Sequence, residues 1–393
     1  MIRSLIGGML MTTLVSAVST AAPIEIKLGY LGPATMPQTL SLVEQPAEND
    51  GIAGARLAIE DNNTTGQFTN QRFVLEELRL KQGDDAATAA RDLAERASFI
   101  VADLGADDLL KVADAVRDRG TLILNAGATD DRLRQQDCRG NVIHVAPTRA
   151  MLADALAQYL VWKQWKRWLL VSGSHPNDKL FADALRRAAT RFGAKIVQER
   201  IFEDTGGARR TDSGVTLIQR QMPVFTQSAP AYDVLVAADE SEVFANYLPY
   251  RSWDPRPIAG SAGLKPVSWD AAHDQWGAIQ LQNRFMKLNS RRMSARDMQA
   301  WTAVRMIGEA ASRTNSGDAT TLLAYIKSPN FEVAAFKGQR LTLRDWNLQL
   351  RQPILLADGR MVVSVSPQEG FLHQVSELDT LGIDRPESQC KLP

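Results

Sequence analysis

Catalysis would need a nucleophile beside a base, or ligands at metal spacing, and the chain offers neither. Its four histidines, His144, His175, His273 and His373, show no zinc-ligand spacing. Ser174 lies in "SGSHP" and Ser261 in "AGSAG", and neither context is the G-x-S-x-G elbow. There is no G-x-x-x-x-G-K-[ST] and no G-x-G-x-x-G. Enzymatic chemistry is therefore not expected. Recognition chemistry is better represented. "ILNAGATDDRLR" (Ile123–Arg134) stops an apolar run and then sets Gly127, Ala128 and Thr129 ahead of two carboxylates. Small residues with one hydroxyl let another molecule lie against the backbone. "PYRSWDPRP" (Pro249–Pro257) holds Arg251, Trp253 and Arg256 among three prolines. A planar fork beside an aromatic face suits a flat polycarboxylate, although a rigid surface loop with a packed Trp is the plainer alternative.

Other clusters read as structure before they read as sites. Asp130, Asp131, Asp239 and Glu240 have the oxygens for a hard cation such as calcium, but helix caps and loop ends use the same residues. "WKQWKRW" (Trp162–Trp168) mixes aromatic and basic side chains as a nucleic-acid surface does. Its place between a helix and a strand favours packing instead. Lys+Arg and Asp+Glu both number 45, so no polyanion partner is expected.

The elements that must position these residues alternate. "IEIKLGYLGP", "QRFVLEELRL", "FIVADLG" and "TLILNAG" read as strands, and helices with 3.6-residue spacing stand between them. The pattern restarts at "MLADALAQYL" and runs through the strands "RWLLVSGS", "AKIVQERIF", "YDVLVAADE" and "RPIAGSAG". The helix "SEVFANYLPYR", an extended "GAIQLQNRF", the long helix "SARDMQAWTAVRMIGEAASR" and a hairpin on Asp358-Gly359 complete the expectation. The fold class predicted is α/β, with two doubly wound parallel-sheet lobes. In open α/β sheets ligands sit outside the carboxyl ends of the strands. Those ends are the loop within Ile123–Arg134, Tyr30–Pro33, Ser172–Asp178, Ala238–Ser241 and Gly260–Lys265.

Residues 1–21 read as a secretory signal peptide: Arg3, an apolar stretch too short for the ~20 residues a bilayer needs, then Ser19-Thr20-Ala21. An exported chain with two distant cysteines predicts one disulfide, Cys138 to Cys390.

In their order, "IKLGYLGP", "GARLAIEDNN", "ILNAGATDD", the second-lobe restart and "AWTAVRMIGEA" resemble the type I periplasmic binding proteins of ABC importers, which include the branched-chain amino-acid receptors. "NAGATDDRLR", "RAMLADALAQYL", "YLPYRSWDPRPIAG", "QLQNRF" and "LRQPILL" are similar, more narrowly, to the subgroup accompanying PQQ-dependent alcohol dehydrogenases. The resemblance implies two lobes joined by a three-strand hinge: residues 24–144 with about 284–338, and 145–283 with about 339–385, followed by a tail of 386–393. It implies a ligand carboxylate at Gly127, Ala128 and Thr129, with Tyr30 nearby, and Asn177 where the receptors carry an aromatic. The receptors' ammonium-binding acid has no counterpart in "GSAGLK", which offers Lys265. An anionic ligand is expected, with PQQ the best candidate, helped by Lys265, Arg251 and Trp253. The expected partners are ABC membrane subunits and a PQQ-dependent dehydrogenase, and a periplasmic monomer is expected. The alternatives are a receptor for a metal ion or for an alcohol or acid of the same pathway, and a degenerate receptor that binds only protein.

Overall fold

Alternate residues of the first strands face opposite ways, and both faces are buried. Phe99 and Val101 join one core with Ile26, Leu28 and Leu124, while Ile100 and Ala102 join another with Leu31 and Ile123. Such strands need helices on both sides. The computed structural model describes residues 22–36, 45–205 and 217–392. The expected signal peptide lies outside the described residues.

The first lobe contains β1 (Ile24–Pro33), α1 (Ile52–Thr69), β2 (Gln71–Leu80), α2 (Ala86–Ala94), β3 (Phe99–Ala102), α3 (Ala106–Ala115), β4 (Leu122–Asn125) and β5 (Val142–His144). These strands form a parallel sheet in the order β2-β1-β3-β4-β5. The second contains α4 (Arg149–Trp162), β6 (Arg167–Gly173), α5 (Pro176–Phe192), β7 (Lys195–Phe202), α6 (Ile218–Thr226), β8 (Val234–Ala238), α7 (Leu248–Arg251), β9 (Ile258–Gly260) and β10 (Lys265–Val267). Its parallel sheet runs β7-β6-β8-β9. The chain then returns through α8 (Ala278–Asn289), α9 (Ala295–Thr314), α10 (Ala319–Ile326), β11 (Val333–Ala334) and β12 (Arg340–Leu341), and ends on β13 (Ile354–Ala357) and β14 (Val362–Ser366). α9 packs on α1 in the first-lobe core. β10, β13 and β14 form an antiparallel sheet beside the second lobe.

The two lobes are thus joined three times, through residues 145–148, 268–277 and 342–353. Side chains tie these crossings together. Gln352 donates to the Val145 carbonyl at 2.6 Å, and the Lys337 ammonium donates to Gln352 Oε1, also at 2.6 Å.

Two local expectations are corrected. "GAIQLQNRF" is helical, because its buried residues Ala278, Leu281 and Phe285 recur at helical spacing. The helix expected over Ser241–Arg251 shrinks to a short turn and α7. Asp239 gathers the amides of Val243, Phe244 and Ala245 at 2.7–2.9 Å, and Glu242 takes a positive φ of 52°. The disulfide is formed: Cys138 and Cys390 have Cα atoms 5.6 Å apart.

Candidate functional site

In both sheets the strand order reverses once, between β1 and β3 and between β6 and β8. Loops leaving neighbouring strands in opposite directions open a crevice at such a point. The main cleft, ≈ 1290 Å³, lies there. The first lobe lines it with Pro33, Thr35 and Met36 at the end of β1, Asp103–Asp108 after β3 and Gly127–Asp130 after β4. The second adds Asn177 after β6 and Glu240 after β8. Arg149 enters at the first crossing, and Arg296 and Gln299 from the start of α9.

Helix starts point into this space from both sides. α3 begins behind Gly105, and α5 begins at Pro176 with His175 and Asp178 closing a reciprocal cap. The helix dipole makes such ends favourable to anions, although α5 starts on a proline with no N–H and is already capped. The charged lining leans the other way: Lys81, Arg132, Arg149 and Arg296 face Asp84, Asp103, Asp107, Asp108, Asp130 and Glu240. Most of these groups neutralise one another. Arg132 pairs with Asp107 and Asp137. Arg149 grips Glu240 through Nε and Nη2 at 2.9 and 2.7 Å, and its Nη1 lies 3.0 Å from Asp130. Burial pushes the Glu240 carboxyl above its ordinary pKa, and Arg149 opposes that rise. Arg296 Nη1 donates to Asp103 at 3.1 Å.

The small-residue loop has a steric cause. A Cβ on Gly127 would stand 2.7 Å from Asp103 Oδ1 and 2.8 Å from the Leu104 nitrogen. Only glycine lets β3's loop and β4's loop come together. Asn125 then holds the turn, accepting from the amides of Gly127 and Ala128 at 3.2 and 2.8 Å.

Of the residues singled out by sequence, Gly127, Ala128, Thr129 and Asn177 line the cleft. Tyr30 does not: it is fully buried, and its hydroxyl donates to Asp103 Oδ2 at 3.1 Å. Lys265 is also outside. The turn through Gly260 and Gly263, both at positive φ, folds the chain back so that Lys265 pairs with Ala357 in the antiparallel sheet. Arg251 ends α7, and Trp253, 60% exposed, is anchored by its amide to Thr226. Neither lines the cleft. The four acids weighed for calcium are occupied: Asp130 and Glu240 by Arg149, Asp131 by the Ala150 amide, and Asp239 by its three amides. Among the described residues no group of three or more His, Cys, Asp and Glu could hold a metal ion. In "WKQWKRW" Trp168 is fully buried, whereas Trp162 is 49% exposed under the Lys163 ammonium, so packing holds for only part of the stretch.

Sequence reasoning missed Asp103, Arg149, Arg296 and Gln299, and gave Glu240 only to a cation or a cap. One signal was available. Arg296 sits in the first turn of α9, where the dipole disfavours a cation. A charge placed against its helix invites a functional explanation.

The family described as periplasmic binding protein matches residues 25–208. No curated protein matches the chain. Among solved structures, a branched-chain amino acid ABC transporter periplasmic ligand-binding protein from Burkholderia xenovorans is 18% identical, with TM-score 0.69 over 86% of this chain and 95% of that one. A leucine-, isoleucine-, valine-, threonine- and alanine-binding protein from Brucella ovis, in a closed conformation, gives TM-score 0.70 at 15% identity over 95% and 100%. A solute-binding protein from R. palustris in complex with benzoate gives 0.64 at 12% over 93% and 99%. The fold is that of the type I periplasmic binding proteins.

Proposed function

We propose that this chain is a periplasmic solute receptor of an ABC importer, which closes its two lobes on a small carboxylate-bearing ligand and offers it to the membrane subunits. The observation that carries this reading is the cleft itself. Helix starts from both lobes and the Gly127–Thr129 loop converge on one space at the two topological switch points. Among the described residues no helix is long and apolar enough to cross a membrane. The type I fold and the match over residues 25–208 support the receptor class. Within the carboxylates we take PQQ as the candidate, with a PQQ-dependent dehydrogenase as the downstream partner. The sequence likeness to the receptors of that oxidation system supports this choice. The placement of Lys265, Arg251 and Trp253 gives it no help.

A second reading keeps the receptor and changes the ligand to a zwitterion. It is favoured by Glu240, an acid on the second-lobe wall, and by six carboxylates against four cations in the lining. Calorimetric titration with PQQ (with and without calcium), benzoate and leucine separates the two. PQQ or benzoate should bind, and Thr129→Val should weaken that binding by about 1 kcal/mol or more through loss of one hydrogen bond. Leucine binding tighter than either would install the second reading, and binding of no carboxylate at all would overturn both.

A further inference from the structure

We propose that Arg296 is the residue that takes the ligand's carboxylate, braced for that task by the buried pair Asp103 and Tyr30. This inference rests on the carboxylate reading above and deepens it.

Four cations line the cleft, and three are poorly placed to receive a ligand. Arg132 is divided between Asp107 and Asp137. Arg149 has a side chain only 4% exposed and is clamped by Glu240 and Asp130. Lys81 is a flexible, exposed point charge, a weak choice for fixing a planar group. Arg296 differs in both respects. Its side chain is 40% exposed, and among the described residues its one hydrogen bond is from Nη1 to Asp103. A guanidinium has five N–H donors in a fixed fork, so an edge remains for a second carboxylate.

The brace is built tightly. Asp103 is 2% exposed, with Oδ1 on Arg296 and Oδ2 on the Tyr30 hydroxyl. Two glycines box it in: a Cβ on Gly51 would lie 2.7 Å from Oδ2, and one on Gly127 2.7 Å from Oδ1. The second of these puts the Arg296–Asp103 pair against the Gly127–Thr129 loop. The fork and the small-residue loop therefore serve the same ligand group, beside the start of α3. Tyr30 and Asp103 act as positioning residues, and Gln299, one turn along α9 and held by Ser268 at 2.7 Å, borders the same wall.

The test uses the full protein with benzoate and PQQ as probes and benzyl alcohol as the neutral control. Arg296→Gln keeps an N–H for Asp103 and removes the charge and fork; Arg296→Lys keeps the charge alone. Arg296→Gln should lose about tenfold to a hundredfold in benzoate and PQQ affinity, as expected for a hydrogen bond to a charged group. Arg296→Lys should fall between, and any benzyl alcohol binding should not change. The salt dependence of benzoate binding should also shrink in Arg296→Gln. Thermal melts report folding separately, and if the Gln variant does not fold, the Lys variant still decides. Wild-type binding with equal affinity in both variants would overturn the inference and leave the carboxylate reading intact. A wild-type protein that binds neither probe would overturn both.

Discussion

Lys337 is a buried cation. It is fully buried beside the third crossing, its ammonium donates to Gln352 among the described residues, and burial drives its pKa from 10.5 down to about 7. An unfolded lysine still carries its proton up to about pH 10.4. Between pH 7 and 10 the unfolded chain therefore binds more protons, so stability should rise with pH across that window and level off below it. The displacement corresponds to a cost on the order of 4 kcal/mol near pH 7. Lys337→Met removes it but strands Gln352 Oε1, at about 1–3 kcal/mol. The net gain at pH 7 should be about 1–3 kcal/mol, shrinking towards pH 10; urea midpoints at pH 7 and 9.5 check both the sign and the trend. A gain that grew with pH would contradict the mechanism. Nothing in the local sequence "AFKGQR" announces this burial, because it depends on chain arriving from three crossings. Thr129 was legible, since a hydroxyl after three small residues at a strand end has few other uses. Tyr30 was misread for a related reason: position gave its neighbourhood, and only packing shows that the ring points into the core.

At the scale of elements, the strand-end loops are what the sequence shows most clearly. From β1 to β4 the strands and helices announce themselves by period and by polar punctuation, and their order fixes where the switch point falls. The last second-lobe loop was misplaced because two positive-φ glycines, Gly260 and Gly263, reverse the chain into a different sheet. Periodicity carries no information about such a reversal. α8 was misread because Ile279 and Leu281 alternate like a strand, while the residue that settles the matter, Phe285, lies a turn further on. The contact between the β3 and β4 loops gives a direct test. Gly127→Ala adds a methyl within 2.7–2.9 Å of Asp103 and Leu104. It should cost about 1–3 kcal/mol of stability, as overpacking does, and weaken ligand binding more than Thr129→Val. Denaturation and calorimetry on the same preparation separate the two effects.

Over the whole molecule, the second lobe and the tail are linked more firmly than three crossings suggest. Gly382 lies on the second lobe, its carbonyl accepting from Arg187 and Arg191 of α5 and its amide donating to buried Asp154. Eight residues later Cys390 is bonded to Cys138 of the first lobe, and the Gln389 amide donates to Gln135. The tail is thus a fourth tie across the hinge. Replacing both cysteines by serine should lower stability by about 5 kcal/mol on the chain-entropy account of so long a loop. It should also widen the spread of lobe separations. Small-angle scattering of the unliganded protein, with and without the bond, measures that spread. An unchanged profile together with lost stability would mean that the tie secures the fold and leaves the hinge free.

The same bond imposes an order on biogenesis. Cys138 belongs to a lobe whose sheet is complete by His144, yet its partner follows 252 residues later. As the chain is made, Cys138 stays unpaired until the second lobe, α8–α10 and the final hairpin have followed it. Until then Cys138 is open to exchange with other thiols and disulfides. The 252 residues between the two cysteines set how long a growing chain carries that unpaired thiol.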